Sequence, residues 1–210
     1  MSKAIVLDMD GTISSLYSVN GWLDYLIAED ATPYAVAEPY GDSKAINAAL
    51  ATLQGMGYVV EVVSWLSKGE PSKAFNAAVR KAKLDWLSNY YPCIDPSNVH
   101  VVAHGTNKWR VSNNKGGVLF DDEQGNIDNW NKHSNSGIGI QVTNSDTVLS
   151  TLYQIIDKET KGVARPLIFS TFLLHCIQLS SIIKTCRKGK DTYIVYLKTV
   201  NEWESVSQIP

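Results

Sequence analysis

Two aspartates one residue apart, at the end of a short apolar run and followed directly by Gly-Thr, restrict this chain more than any other feature. The run is Ala4-Ile5-Val6-Leu7 and the polar stretch is Asp8-Met9-Asp10-Gly11-Thr12. Four apolar residues ending in a polar turn read as a strand buried on both faces, as in parallel sheets. Alternation along a strand predicts that Asp8 and Asp10 emerge on the same side at its carboxyl end. Two carboxylates placed there repel, and a low-dielectric cleft tolerates them only with a divalent metal, a shared proton, or both. Gly11 lets the chain turn sharply, and the Thr12 hydroxyl can anchor the turn or a bound anion.

Downstream periodicity predicts alternating helices and strands. Asp42 or Ser43 caps a helix with Ala45, Ile46, Ala49, Leu50 and Leu53 at helical spacing, stopped by Gly55 and Gly57. Tyr58 to Ser64 is rich in β-branched residues and predicts a second strand. Ser72 to about Tyr90 repeats Phe75, Val79, Ala82 and Trp86 at helical intervals. Strands are expected at 98–103, 117–120 and 138–142, then a helix capped by Asn144 or Ser145 with Val148, Leu149, Leu152, Ile155 and Ile156 on its apolar face. This alternation implies βαβ crossovers, hence an α/β fold: a doubly wound, mainly parallel, Rossmann-like sheet that binds ligands beyond the carboxyl ends of its strands.

The expected sheet domain covers residues 1–158. Within it, residues 13–41 hold Trp22, Tyr25, Tyr34, Tyr40, Pro33 and Pro39 without long periodicity, and predict a small cap or flap. Trp22, Leu23, Leu26 and Ile27 suit one or two helical turns. Residues 159–210 are an expected appendage. Its apolar run from Leu167 to Ile183 is interrupted by His175 and Gln178 and falls short of the about twenty apolar residues a membrane span needs. A packed helix or a self-association surface giving a homo-oligomer is the expectation, with a last strand at Thr192–Val200.

A chain of 210 residues with 44% hydrophobic content can bury one sizeable core plus a small appendage. A net charge of -2 gives no general attraction to nucleic acid, so no extended nucleic-acid partner is expected and a phosphate must be held by a few local cations. Cys93, Cys176 and Cys186 are odd in number and unrelated in spacing, which suits reduced thiols. The amino terminus enters the strand with no secretory signal ahead of it, and a cytoplasmic location follows as the expectation.

Four elements line up in chain order: Asp8-x-Asp10-Gly-Thr; Ser64 at the end of a buried strand; Lys108 after Gly105-Thr106-Asn107; and Asp121-Asp122 after Val118-Leu119-Phe120. Singly, each is commonplace as a turn, a strand-ending hydroxyl or a solvated charge. A calcium loop would carry further oxygen ligands at alternating positions, and Ile13 breaks that series. Placed together at strand ends, the four resemble the motifs of the haloacid dehalogenase superfamily of phosphohydrolases over about residues 3–157. The stretches 65–68, 83–87 and 120–123 further resemble small-capped phosphatases of bacteriophage and bacteria and the deoxyribonucleotidase branch.

That resemblance implies roles. Asp8 would be the nucleophile that forms an aspartyl-phosphate, and Asp10 the general acid and then the general base. Magnesium would be bound by Asp8, the backbone carbonyl of Asp10, and Asp121 or Asp122. Ser64, Trp65 and the backbone after Asp8 at Met9, Gly11 and Thr12 would hold phosphoryl oxygens, with Lys108 neutralising the shared charge. Lys115 is the competing lysine; Lys108 is preferred because it follows a strand and a Gly-Thr turn. Tyr17, Trp22, Tyr25, Tyr34, Tyr40 and Trp65 could stack on a base or fill the core under the cap. Trp109-Arg110 could meet substrate or only surface, and His104 and His133 carry no assigned chemistry. The implied activity is a magnesium-dependent phosphomonoesterase acting on a small phosphorylated substrate, a nucleotide monophosphate first. The alternatives are a polynucleotide 3′-phosphatase and a non-catalytic nucleotide or phosphate binder, or interaction protein, on the same scaffold.

Overall fold

The computed structural model describes residues 3–161, together with the backbone of 183–188 and 191–196. Five strands, β1 (Ala4–Leu7), β2 (Val59–Trp65), β3 (Val99–Val102), β4 (Val118–Asp121) and β5 (Ile138–Gln141), form one sheet in the order β3-β2-β1-β4-β5. Every pairing is parallel. The sheet is therefore wholly parallel and Rossmann-like. Its chain reverses direction of travel at β1, which has β2 on one side and β4 on the other; crevices at such reversals bind ligands. Leu7 stands opposite both Val62 and Phe120, so Asp8 and Asp121 leave the sheet side by side.

Helices cover both faces. On one, α3 (Ser43–Gly55), α4 (Lys73–Tyr90) and α7 (Thr147–Lys161) press Ile46, Leu50, Leu53, Trp86 and Leu152 onto Ile5, Leu7, Val60, Val62 and Phe120. On the other, α6 (Gln124–His133) presses Ile127 and Trp130 onto Val6, Val63 and Leu119, beside Trp109 and Val111 of α5 (Lys108–Val111). The caps follow side-chain chemistry: Asp42 accepts from the Ala45 N–H at 3.0 Å, and Ser72 from the Phe75 N–H at 3.1 Å. Asn144 rather than Ser145 organises the start of α7, accepting from the Asp146 N–H at 3.0 Å and the Thr147 hydroxyl at 3.1 Å.

Between β1 and α3 the chain runs through a 3₁₀ turn at Leu16–Ser18, α1 (Trp22–Ile27) and α2 (Thr32–Val36). Leu16 and Tyr34 pack there with Phe75 and Val79 of α4. The Trp86 indole also donates to the Ala37 carbonyl at 2.6 Å, so α4 holds this segment at two levels. α1 buries none of its residues. Helices α5 and α6 lie outside the sequence expectation.

The second unit of the chain begins at Thr160, in the last turn of α7; beyond Lys161 it is described by β6 (Ile183–Lys188) and β7 (Asp191–Tyr196), which pair antiparallel with Thr185 opposite Ile194. The expected final strand coincides with β7 up to Tyr196; its remainder, most of the Leu167–Ile183 run, and Cys176 lie outside the described residues. Among the described residues no helix is long and apolar enough to cross a membrane. Cys93 is a half-buried free thiol.

Candidate active site

A cleft of about 250 Å³ opens at the carboxyl ends of β1, β2 and β4. Its charged lining includes Asp8, Asp10, Lys108, Asp121 and Asp122. Asp8 follows β1 directly and is anchored by its own N–H, which donates to the Phe120 carbonyl at 2.9 Å. Just beyond it the chain turns back: the Gly11 N–H donates to the Ser14 carbonyl at 2.8 Å, and the Met9 carbonyl accepts from Thr12, Ile13 and Ser14. Gly11 adopts φ 79°, and a Cβ on it would overlap the Asp122 carboxylate and approach the Tyr17 ring. Glycine is thus fixed here twice, by backbone conformation and by a neighbouring acid.

Lys108 is buried and its ammonium bridges Asp8 Oδ1 and Asp121 Oδ2, the latter at 2.6 Å. The Trp65 ring lies 5.1 Å from that nitrogen. Burial alone would lower the lysine's proton affinity, but the flanking Asp8 and Asp121 charges hold it above the ordinary value. The other Asp121 oxygen accepts from the Glu123 N–H at 2.9 Å and the Asn126 amide at 3.0 Å, so α6 braces it. Lys115 instead lies 5.9 Å from the Trp109 ring and does not line the cleft. Of the two lysines weighed from sequence, Lys108 is the one among the acids.

Asp8, Asp121 and Asp122 each offer an oxygen within 4.8 Å of the others. Burial, then the charges of Asp8 and Asp121, push the Asp122 carboxyl up to about 7. Burial likewise raises Asp121 against the pull of Lys108. An all-oxygen, acidic set whose Asp121 and Asp122 carboxyls are raised by burial is short of positive charge, and its donors fit a hard divalent cation such as magnesium. Asp10 stands apart from this trio, and burial raises its carboxyl too, against the opposing pull of Lys83.

Lys83 is the residue that sequence reasoning missed. It is fully buried on α4, and its ammonium donates to Asp10 Oδ2 at 2.5 Å, Ser64 Oγ at 2.8 Å and the Trp65 carbonyl at 2.7 Å. Ser64 is consequently held beneath the cleft rather than on its lining. Thr12 is also buried, and its hydroxyl has no hydrogen-bond partner among the described residues. Of the aromatic candidates, Tyr17, Trp22, Tyr34 and Trp65 line the cleft, and Tyr25 and Tyr40 do not. His104 joins them, 4.8 Å from the Trp65 ring, whereas His133 stacks on Trp109 at 4.9 Å.

Among known proteins, no family model and no curated sequence matches this chain. The cleft itself combines a buried carboxylate beside an ammonium, a second carboxylate held by another, and a trio of acids able to share a cation.

Proposed function

We propose that the chain is a magnesium-dependent phosphomonoesterase of the haloacid dehalogenase type, acting through an aspartyl-phosphate on a small phosphate ester. The convergence of Asp8, Asp10, Lys108, Asp121 and Asp122 on one cleft at the sheet's reversal point carries this reading. Asp8 attacks phosphorus, forming an Oδ–P bond as the ester P–O bond breaks. The departing alkoxide takes a proton from Asp10. Asp10 then takes a proton from water, whose oxygen attacks phosphorus while the Asp8 Oδ–P bond breaks and releases inorganic phosphate. Lys108 offsets the negative charge that Asp8 and the phosphoryl group share. Magnesium, for which Asp8, the backbone carbonyl of Asp10, and Asp121 or Asp122 are the holding groups, supplies Lewis-acid neutralisation of phosphoryl charge when bound.

The size of the cleft and the Tyr17, Trp22, Tyr34 and Trp65 rings on its wall favour a small ester with a planar group, a nucleotide monophosphate first. Hydrolysis of p-nitrophenyl phosphate should require magnesium and should vanish in Asp8→Asn. A parent protein with no metal-dependent turnover would defeat this reading in favour of a phosphate-binding role. A panel of nucleotides against sugar phosphates tests the substrate, and preference for sugar phosphates would overturn the nucleotide assignment.

A further inference from the structure

Lys83 occupies an inward position of α4, in the stripe Phe75, Val79, Lys83, Trp86 and Leu87, where an aliphatic residue would serve the packing. Burying an ammonium costs several kcal/mol unless it is paired and hydrogen-bonded. Here all three ammonium donors are used, on Asp10, Ser64 and the Trp65 carbonyl, with the Tyr34 ring 5.0 Å away. No donor remains for a phosphate oxygen. Lys83 is also absent from the cleft lining that contains Lys108. The two buried lysines therefore do different things: Lys108 faces the reacting groups, and Lys83 acts on a side chain that does.

What it fixes is specific. Lys83 holds one oxygen of Asp10, and the other, Oδ1, is buried without a hydrogen-bond partner among the described residues. A carboxyl group gripped by one oxygen from below presents the other in one orientation, which is what proton exchange with a leaving oxygen and then with water requires.

We propose that Lys83 is a positioning residue for Asp10, holding one carboxyl oxygen so that the other exchanges the proton of the phosphoester reaction. The role rests on the phosphatase reading above. A lysine that merely ties α4 to β1 and β2 would affect all substrates alike. One that orients the general acid matters most where the leaving group needs a proton.

The test compares kcat/KM for phenyl phosphate, a poor leaving group, with p-nitrophenyl phosphate, whose phenolate departs unprotonated. This ratio reports steps through formation of the phospho-enzyme, which keeps the later hydrolysis out of the comparison. Lys83→Met should lower it by about a hundredfold or more for phenyl phosphate, the size of a general-acid contribution, and by less than about tenfold for p-nitrophenyl phosphate. Equal losses on the two esters overturn the role. Should Lys83→Met fail to fold, Asp10→Asn/Lys83→Met removes both charges together. On p-nitrophenyl phosphate it should match Asp10→Asn within about threefold, and a further loss of about tenfold or more overturns the role. A parent protein inactive on both esters defeats the phosphatase reading and this role with it, whereas an active parent with equal losses defeats the role alone.

Discussion

Gly11 sits where the backbone is left-handed and where the Asp122 carboxylate fills the space of a side chain. Gly11→Ala should therefore lose about 1 to 2 kcal/mol in denaturant unfolding from the backbone alone, and should raise the magnesium concentration needed for activity by displacing Asp122. The lysines separate as sharply. Lys108→Ala should reduce turnover by about a hundredfold or more, because it removes a preorganised charge from beside Asp8, while Lys115→Ala should leave turnover within about twofold. Steady-state rates on p-nitrophenyl phosphate check this, and similar losses for the two would refute the placement of Lys108.

The acids at strand ends were readable from sequence because the apolar runs Ala4–Leu7 and Val118–Phe120 mark buried strands, and a carboxylate that follows such a strand must emerge at its end. Lys83 was not, since a lysine inside an amphipathic helix reads as a solvated charge. Its spacing of four after Val79 and three before Trp86 was the available signal, and only the packed fold brings Asp10 to meet it.

Among the secondary-structure elements, those with strong apolar periodicity were legible: α3, α4, α7 and all five sheet strands appear within a few residues of expectation. α6 was hidden because Ile127 and Trp130 are its only buried residues, among asparagines and a glycine with weak helix preference. It forms because those two rest on the sheet and because Asn126 reaches Asp121. α5 is a four-residue turn, too short for periodicity to show.

A second polar tie joins β2 to the loop after α5. Glu61 is 1% exposed in the middle of β2, and accepts from Ser112 Oγ at 2.7 Å, Asn113 N–H at 3.1 Å and Asn114 Nδ2 at 2.9 Å, with His100 Nε2 at 2.9 Å. This loop connects the helix bearing Lys108 to the strand bearing Asp121. Glu61→Ala should destabilise by about 2 to 3 kcal/mol in urea unfolding, because several donors lose their acceptor at once. Glu61→Gln, which retains one acceptor oxygen, should lose less. Equal stability of the alanine variant and the parent would show that the tie does not hold the loop.

Across the sheet domain, the acids gathered from β1 and β4 make stability depend on what neutralises them. A cation that binds only the folded state stabilises it, by about 2.7 kcal/mol at a hundred times its dissociation constant. Magnesium should therefore raise the thermal midpoint, and Asp122→Asn, which removes one of the three acids, should reduce the shift. With a chelator present the sign for protons is also set. The Asp122 carboxyl stands at about 7 when folded, against an ordinary 3.8, so the folded state holds its proton more tightly. That contribution is complete below about 4 and is lost as pH rises through about 7. The Asp122→Asn protein should lack that decline, and parallel curves for the two proteins would contradict the assignment.

α4 has a consequence for how such a cleft can change over evolution. The same helix holds Asp10 through Lys83 and carries the wall segment through Phe75, Val79 and the Trp86 indole. In the proposed reaction, recognition of a ligand and readiness of the acid would therefore share one lever. A sequence drifting toward a wider or narrower wall would tilt that lever, so new specificities should arise together with altered proton handling rather than ahead of it.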